Sequence, residues 1–170
     1  MPFILSDIFI GNYRVSQAFG NNPKYIGGKY YPNGYYSQFK INGIPQRGHE
    51  GTDWATPSDV IITAPFNGII LRQDFQIDYK GYGRVVVVWN PAQKCAVWFC
   101  HLSVENINSG DRVIKGQPLG KTGATGNTFG AHLHFNLCAT DQWGNRINRL
   151  NGYGGFINCI DRNNVTWILT

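Results

Sequence analysis

The sequence is poor in charge. Of its 170 residues only 15% are Asp, Glu, Lys or Arg, against about a quarter in an average soluble domain. Asn, Gly, Ser, Thr and Tyr must therefore supply much of the polar surface. No apolar run approaches about 18 residues, which excludes a membrane-spanning helix. No run of Lys and Arg gathers the net charge of +5 in one place, so nucleic acid is set aside as a partner. Internal repeats, heptads and low-complexity linkers are missing. Apolar spacing of the helical period never holds beyond about two turns, which leaves no long helix. The four cysteines, Cys95, Cys100, Cys138 and Cys159, include no C-x-x-C pair, and this disfavours a cysteine zinc site. The N-terminal apolar patch, Phe3 to Ile10, lacks a basic leader, is broken by Asp7 and precedes no small-residue cleavage site, so it does not read as a signal peptide.

What is present points to one β domain. Hydrophobic residues make up 42% and aromatics 14%, enough to fill a core and too much for a disordered chain. Gly (21 residues) and Pro (8 residues) favour many turns and short strands. Short β-branched runs lie at Val60–Ala64 and Gly68–Arg72, and the strongest is Val85–Trp89. Asn90-Pro91 ends that run, and Ala96–Phe99 follows as its hairpin partner. Ala131–Leu137 is a further strand. Cys95 and Cys100 are an odd number of residues apart on one strand and face opposite sides, so free, buried thiols are expected. The expected fold is mainly β, a compact antiparallel sheet domain. The whole of 1–170 reads as one unit. Residues 1–46 form a Gly- and aromatic-rich loop region, and 138–170 a C-terminal extension packed on the core. The Tyr-rich stretch 25–36 is expected to cover an apolar face, with a groove wall as the sharper alternative. The glycines of 120–130 read as tight turns, as a groove wall, or as both.

The histidines carry the chemistry. There are four: His49, His101, His132 and His134. In His132-Leu133-His134, two residues apart on a strand, both imidazoles project from one face. His49-Glu50-Gly51-Thr52-Asp53 offers an imidazole and a carboxylate. Gly48, Gly51 and Pro57 argue against a helix there, so a turn leading into a strand brings the two together. His101 ends the hairpin strand. A catalytic zinc site takes three protein ligands and keeps one position open. Three of these five side chains make that count. The other two are then left to handle the water, its proton and the developing oxyanion.

The chain resembles the M23 family of zinc metallopeptidases, of the lysostaphin and LytM type. The resemblance runs through His49–Pro57, Ile62–Gly68, Gly81-Tyr82-Gly83, Cys100–Ser103, Gly110–Gly120, Gly123–Gly126 and Gly130–Phe135, in family order over about residues 47–137. It implies that His49, Asp53 and His134 bind Zn2+ and that His101 and His132 are the catalytic pair. It also implies a groove walled by loops, and hydrolysis of peptide bonds in the stem or cross-bridge of bacterial peptidoglycan. Asn136 stands where many members carry Glu, and Ala131 where most carry Pro. The expectation is an active endopeptidase, a monomer by default, made in the cytosol and acting on the cell wall like a phage-type lysin, or a trimmed secreted form. The rival expectations are a non-catalytic LytM-like binding or activator module and a structural zinc protein of a virion.

Overall fold

The computed structural model describes residues 1–41, 43–75 and 81–168, with the side chains of 72–75 outside the description. Asn42 of the N-terminal loop region and Leu169 and Thr170 of the C-terminal extension therefore lie outside the described residues.

The centre is an antiparallel hairpin. The β-branched run makes the strand Arg84–Asn90, and Cys95–Cys100 returns beside it. The turn between them closes on the Asn90 side chain, whose Oδ1 accepts from the Gln93 amide at 2.9 Å. Gly68–Phe75 flanks the hairpin on one side and Leu133–Ala139 on the other, both antiparallel. The short strand Thr52–Trp54 then pairs with Leu133–Ala139, and Val15–Gln17 with Thr52–Trp54. Arg112–Val113 adds to the far edge of Gly68–Phe75. A second sheet joins Val104–Glu105, Pro118–Lys121 and Ile61–Thr63. Among the described residues the only helical element is one 3-10 turn, Tyr35–Gln38.

Both faces of the main sheet are covered, which is why the valine run is continuous rather than alternating. Val86, Val88, Val97, Phe99, Leu133, Phe135 and Leu137 pack with Leu5, Ile62 and Leu119 on one face. Val85, Val87, Ala96, Cys100, Cys138 and Phe156 pack on the other. Cys95 and Cys100 accordingly lie in different clusters, and all four cysteines are free and buried.

The pattern differs from one antiparallel sheet in two respects: the strands fall into separate sheets, and one pairing is parallel. Phe3–Ser6 and Val165–Ile168 pair in parallel, Phe3 opposite Val165, so the two ends of the described chain close on each other. The C-terminal region also supplies Phe156–Ile157, which pairs with Leu133–Ala139. The strand around the H-x-H motif is shifted from 131–137 to Leu133–Ala139. His132 instead makes an isolated bridge to Gly123.

Candidate active site

The site lies on the sheet face that carries the second cluster. His134 and Asp53 are directly opposite in the register of their two strands, and strand alternation sends both side chains to one face while Leu133 and Phe135 enter the main core. His49 sits on the turn before Thr52–Trp54, held by two backbone bonds. Its amide donates to the Asn21 carbonyl at 2.8 Å, and its carbonyl accepts from Gly20 at 2.7 Å. The His49-to-Asp53 segment is a turn entering a strand, as its glycines required.

Three donor atoms converge there. Asp53 Oδ1 lies 2.8 Å from His134 Nδ1, His134 Nδ1 lies 3.0 Å from His49 Nε2, and His49 Nε2 lies 3.4 Å from Asp53 Oδ1. His49, Asp53 and His134 are buried and can together hold a metal ion. A tetrahedral ion with bonds of about 2.0–2.1 Å spaces its ligands by about 3.3 Å, so this triangle fits zinc with only small adjustments. The residue types also suit it, two imidazoles and one carboxylate.

Burial sets the protonation of the group. It pushes His49 down to about 4, with the charge of His134 adding to the effect. Burial alone would raise the Asp53 carboxyl, but the hydrogen bond and charge of His134 outweigh it and hold Asp53 below its ordinary value. The same pairing holds His134 above its ordinary value against the opposing effect of burial.

The other two histidines stand beside this triangle. His101 follows the end of the hairpin strand with φ 61°, a left-handed conformation that is costly for a residue with a Cβ. Its amide donates to the Tyr82 carbonyl at 2.8 Å, and its Nδ1 lies 2.7 Å from the Thr125 carbonyl oxygen. Burial, then the charges of His134 and His132, push His101 down to about 3. His132 places Nδ1 2.9 Å from the Gly130 carbonyl oxygen and 3.0 Å from Thr128 Oγ1. Its Nε2 is 3.7 Å from Asp53 Oδ1. A carbonyl oxygen can only accept, so in each ring Nδ1 carries the proton and Nε2 is left as the free base. The ring centroids of His101 and His132 are 4.7 Å apart. All five residues singled out in the sequence thus meet in one place.

A groove of about 790 Å³ runs over the site. Its walls correct one expectation. The Tyr-rich segment does not chiefly cover an apolar face: Tyr25 and Tyr30 are exposed, whereas Ile26, Tyr35 and Tyr36 line the groove. The Asn22 side chain explains the turn, since its Oδ1 accepts from the Tyr36 amide at 2.8 Å and its Nδ2 donates to Ser37 Oγ at 3.0 Å. Tyr36 then packs its ring 5.4 Å from that of His49. Asn127, Thr128 and Phe129 also line the groove; of the glycines at 120–130, Gly126 makes a tight turn with φ 79°, and none of them is among the lining residues. The motif reading passed over Glu50, Tyr82 and Gln17, which also line the groove. Glu50, between His49 and the glycine of its motif, and Tyr82, within Gly81-Tyr82-Gly83, stood inside motifs without a role assigned to them.

The sequence profile of Peptidase family M23 matches residues 47–148. The chain belongs to peptidase family M23. Among curated M23 relatives, the glycyl-glycine endopeptidase ALE-1 of Staphylococcus capitis is 33% identical over 106 residues, which is 62% of this chain and 28% of that protein. The peptidoglycan DD-endopeptidase ShyC of Vibrio cholerae is 28% identical over 89 residues, 52% of this chain and 20% of that protein. The chain thus spans less than a third of the length of either relative. The catalytic domain of the antimicrobial peptidase lysostaphin from Staphylococcus simulans superposes with a TM-score of 0.57 at 25% identity, over 76% of this chain and 82% of that one. The fold is that of the lysostaphin-type M23 catalytic domain, and the M23 profile spans every residue of the five-membered cluster.

Proposed function

We propose that this M23 chain is a zinc-dependent endopeptidase that hydrolyses peptide bonds in bacterial peptidoglycan, in the stem or cross-bridge. In this reading His49 Nε2, Asp53 Oδ1 and His134 Nδ1 hold the ion, and His101 and His132 are the catalytic residues. A zinc ion so held lowers the pKa of water from about 15.7 to about 7 and polarises a carbonyl oxygen.

The observation that carries the reading is the shared arrangement of His101 and His132. Each has its Nδ1 proton tied to a backbone carbonyl, by Thr125 and Gly130 respectively. Each therefore offers Nε2 towards the groove. One can take the proton of the attacking water, and the other can donate to the oxyanion or to the leaving amine once protonated. Burial keeps His101 neutral at neutral pH, which suits an acceptor. Tyr35, Tyr36, Phe39 and Phe129 line the groove over the site, giving it apolar walls suited to a peptide. The place of action in this reading is the bacterial cell wall.

The test is release of new amino groups from purified peptidoglycan. Release should stop on adding a chelator and return when zinc is restored. Protein shown to hold zinc that released nothing from several wall types would overturn the hydrolytic reading in favour of a binding or activator module.

A further inference from the structure

The groove has an unusual charge balance for a chain of net charge +5. No Lys or Arg is among its described lining residues, which include two carboxylates, Asp53 and Glu50. Asp53 is occupied by His49, His132 and His134. Glu50 is left over. It is 8% exposed and is held from two sides: Tyr82 Oη donates to Oε1 at 2.7 Å, and Gln46 Nε2 donates to Oε2 at 3.2 Å. Both donors are neutral. Among the described residues no Lys or Arg forms an ion pair with it. The Arg146 guanidinium and the His134 and His49 imidazoles lie close enough to interact with its charge, but none of them makes a hydrogen bond or ion pair to the carboxylate among the described residues, and a buried carboxylate gains from a cation in direct contact. Two phenol rings, those of Tyr36 and Tyr82, lie close enough to feel its charge, and aromatic faces favour a cation as well.

We propose that Glu50 is a specificity-determining residue, selecting a substrate peptide that carries a primary ammonium group close to the scissile bond. The ammonium would donate to the Glu50 carboxylate from the groove side, opposite the Tyr82 and Gln46 donors. A charge-assisted contact of this kind discriminates by about tenfold or more against the same peptide without its charge. The inference uses the hydrolytic reading only to choose the peptide.

Soluble muropeptides from a lysine-type wall serve as the probe, with their free amines intact or blocked by acetylation. Binding to the zinc-loaded protein is followed through peptide NMR line shifts, and hydrolysis through product mass. The wild-type protein should prefer the free-amine form by about tenfold or more in Kd, kcat/KM or both. Glu50→Gln should lose most of that preference. Peptides blocked only at the side-chain or only at the α-amino group show which ammonium is read. Equal treatment of free and acetylated peptides by the wild type overturns the proposal, and this comparison needs no variant. A preference that survives in folded Glu50→Gln overturns it too. A preference in binding without any hydrolysis supports the role of Glu50 while removing the endopeptidase reading.

Discussion

The Nδ1 of His101 lies 2.7 Å from the carbonyl oxygen of Thr125, so the backbone of the 123–130 loop dictates which nitrogen of this imidazole faces the groove. Thr125 is itself secured, its Oγ1 donating to the Leu102 carbonyl at 2.8 Å and accepting from the Arg84 amide at 3.0 Å. The left-handed backbone of His101, φ 61°, is held by these bonds at a cost of about 1–3 kcal/mol. A positioned base of this kind contributes about 10²–10⁴ in rate. His101→Ala should therefore lose turnover by that factor while zinc per chain, measured by metal analysis, stays at the wild-type value. Full activity in that variant would remove His101 from the reaction.

The ligand triangle gives the opposite pattern. Asp53 Oδ1 lies 3.4, 3.7 and 2.8 Å from ring nitrogens of His49, His132 and His134. Asp53→Ala leaves three imidazoles without their anion, and His49→Ala removes one of the three converging donors. Each should lose zinc after dialysis along with activity. Retention of stoichiometric zinc by either variant would exclude this triangle as the metal site.

Gly51 lies where a side chain does not fit. A Cβ there would sit 2.6 Å from Cε1 and from Nε2 of the His134 ring and would also strike Asn136 Oδ1. Both neighbours are on the buried strand Leu133–Ala139 and have little room to move. Overpacking of this kind costs about 1–3 kcal/mol. Gly51→Ala should melt at lower temperature than the wild type and bind zinc more weakly, because the ring that must yield carries Nδ1. A variant matching the wild type in both would show that the strand gives way freely.

The five-residue cluster was legible in the sequence because its parts are local. H-x-H spacing on an extended strand and a short glycine-broken turn after His49 each place two side chains on one spot without knowledge of the fold. The hairpin was legible for the same reason, since Val85–Trp89 is bounded by Asn90-Pro91. The groove wall was not. Tyr36 reaches His49 through a turn that Asn22 holds from 14 residues away, and no spacing rule encodes that contact. The parallel pairing of Phe3–Ser6 with Val165–Ile168 joins opposite ends of the chain, where neither strand's own pattern names its partner. The strand starts at Leu133 rather than Ala131, and His132 instead bridges to Gly123 in the same loop. The acid at position 50 stood in plain view, but its neutral direct donors, Tyr82 and Gln46, are a property of the assembled groove.

The thiols offer a test of the core that does not depend on the site. Cys95, Cys100, Cys138 and Cys159 are all free and at most 1% exposed. Burial pushes Cys95 up to about 12, and Cys138 and Cys159 up to about 11, from an ordinary 9.0. The thiolate is the reactive form, so none of these should react with an alkylating reagent at pH 8 in the native protein. All four should react once it is denatured. The shifts also give an alkaline limit. A group whose pKa is raised by folding contributes its full stability below the unfolded value and loses it as pH rises through the folded one. Between pH 9 and about 11–12 the unfolded chain can release thiol protons that the folded chain must keep. The melting temperature should therefore fall progressively above pH 9, and replacing Cys159 by Ala should flatten part of that fall. Rapid labelling of any thiol in the native protein at pH 8, with the fold intact by circular dichroism, would contradict this account of the core.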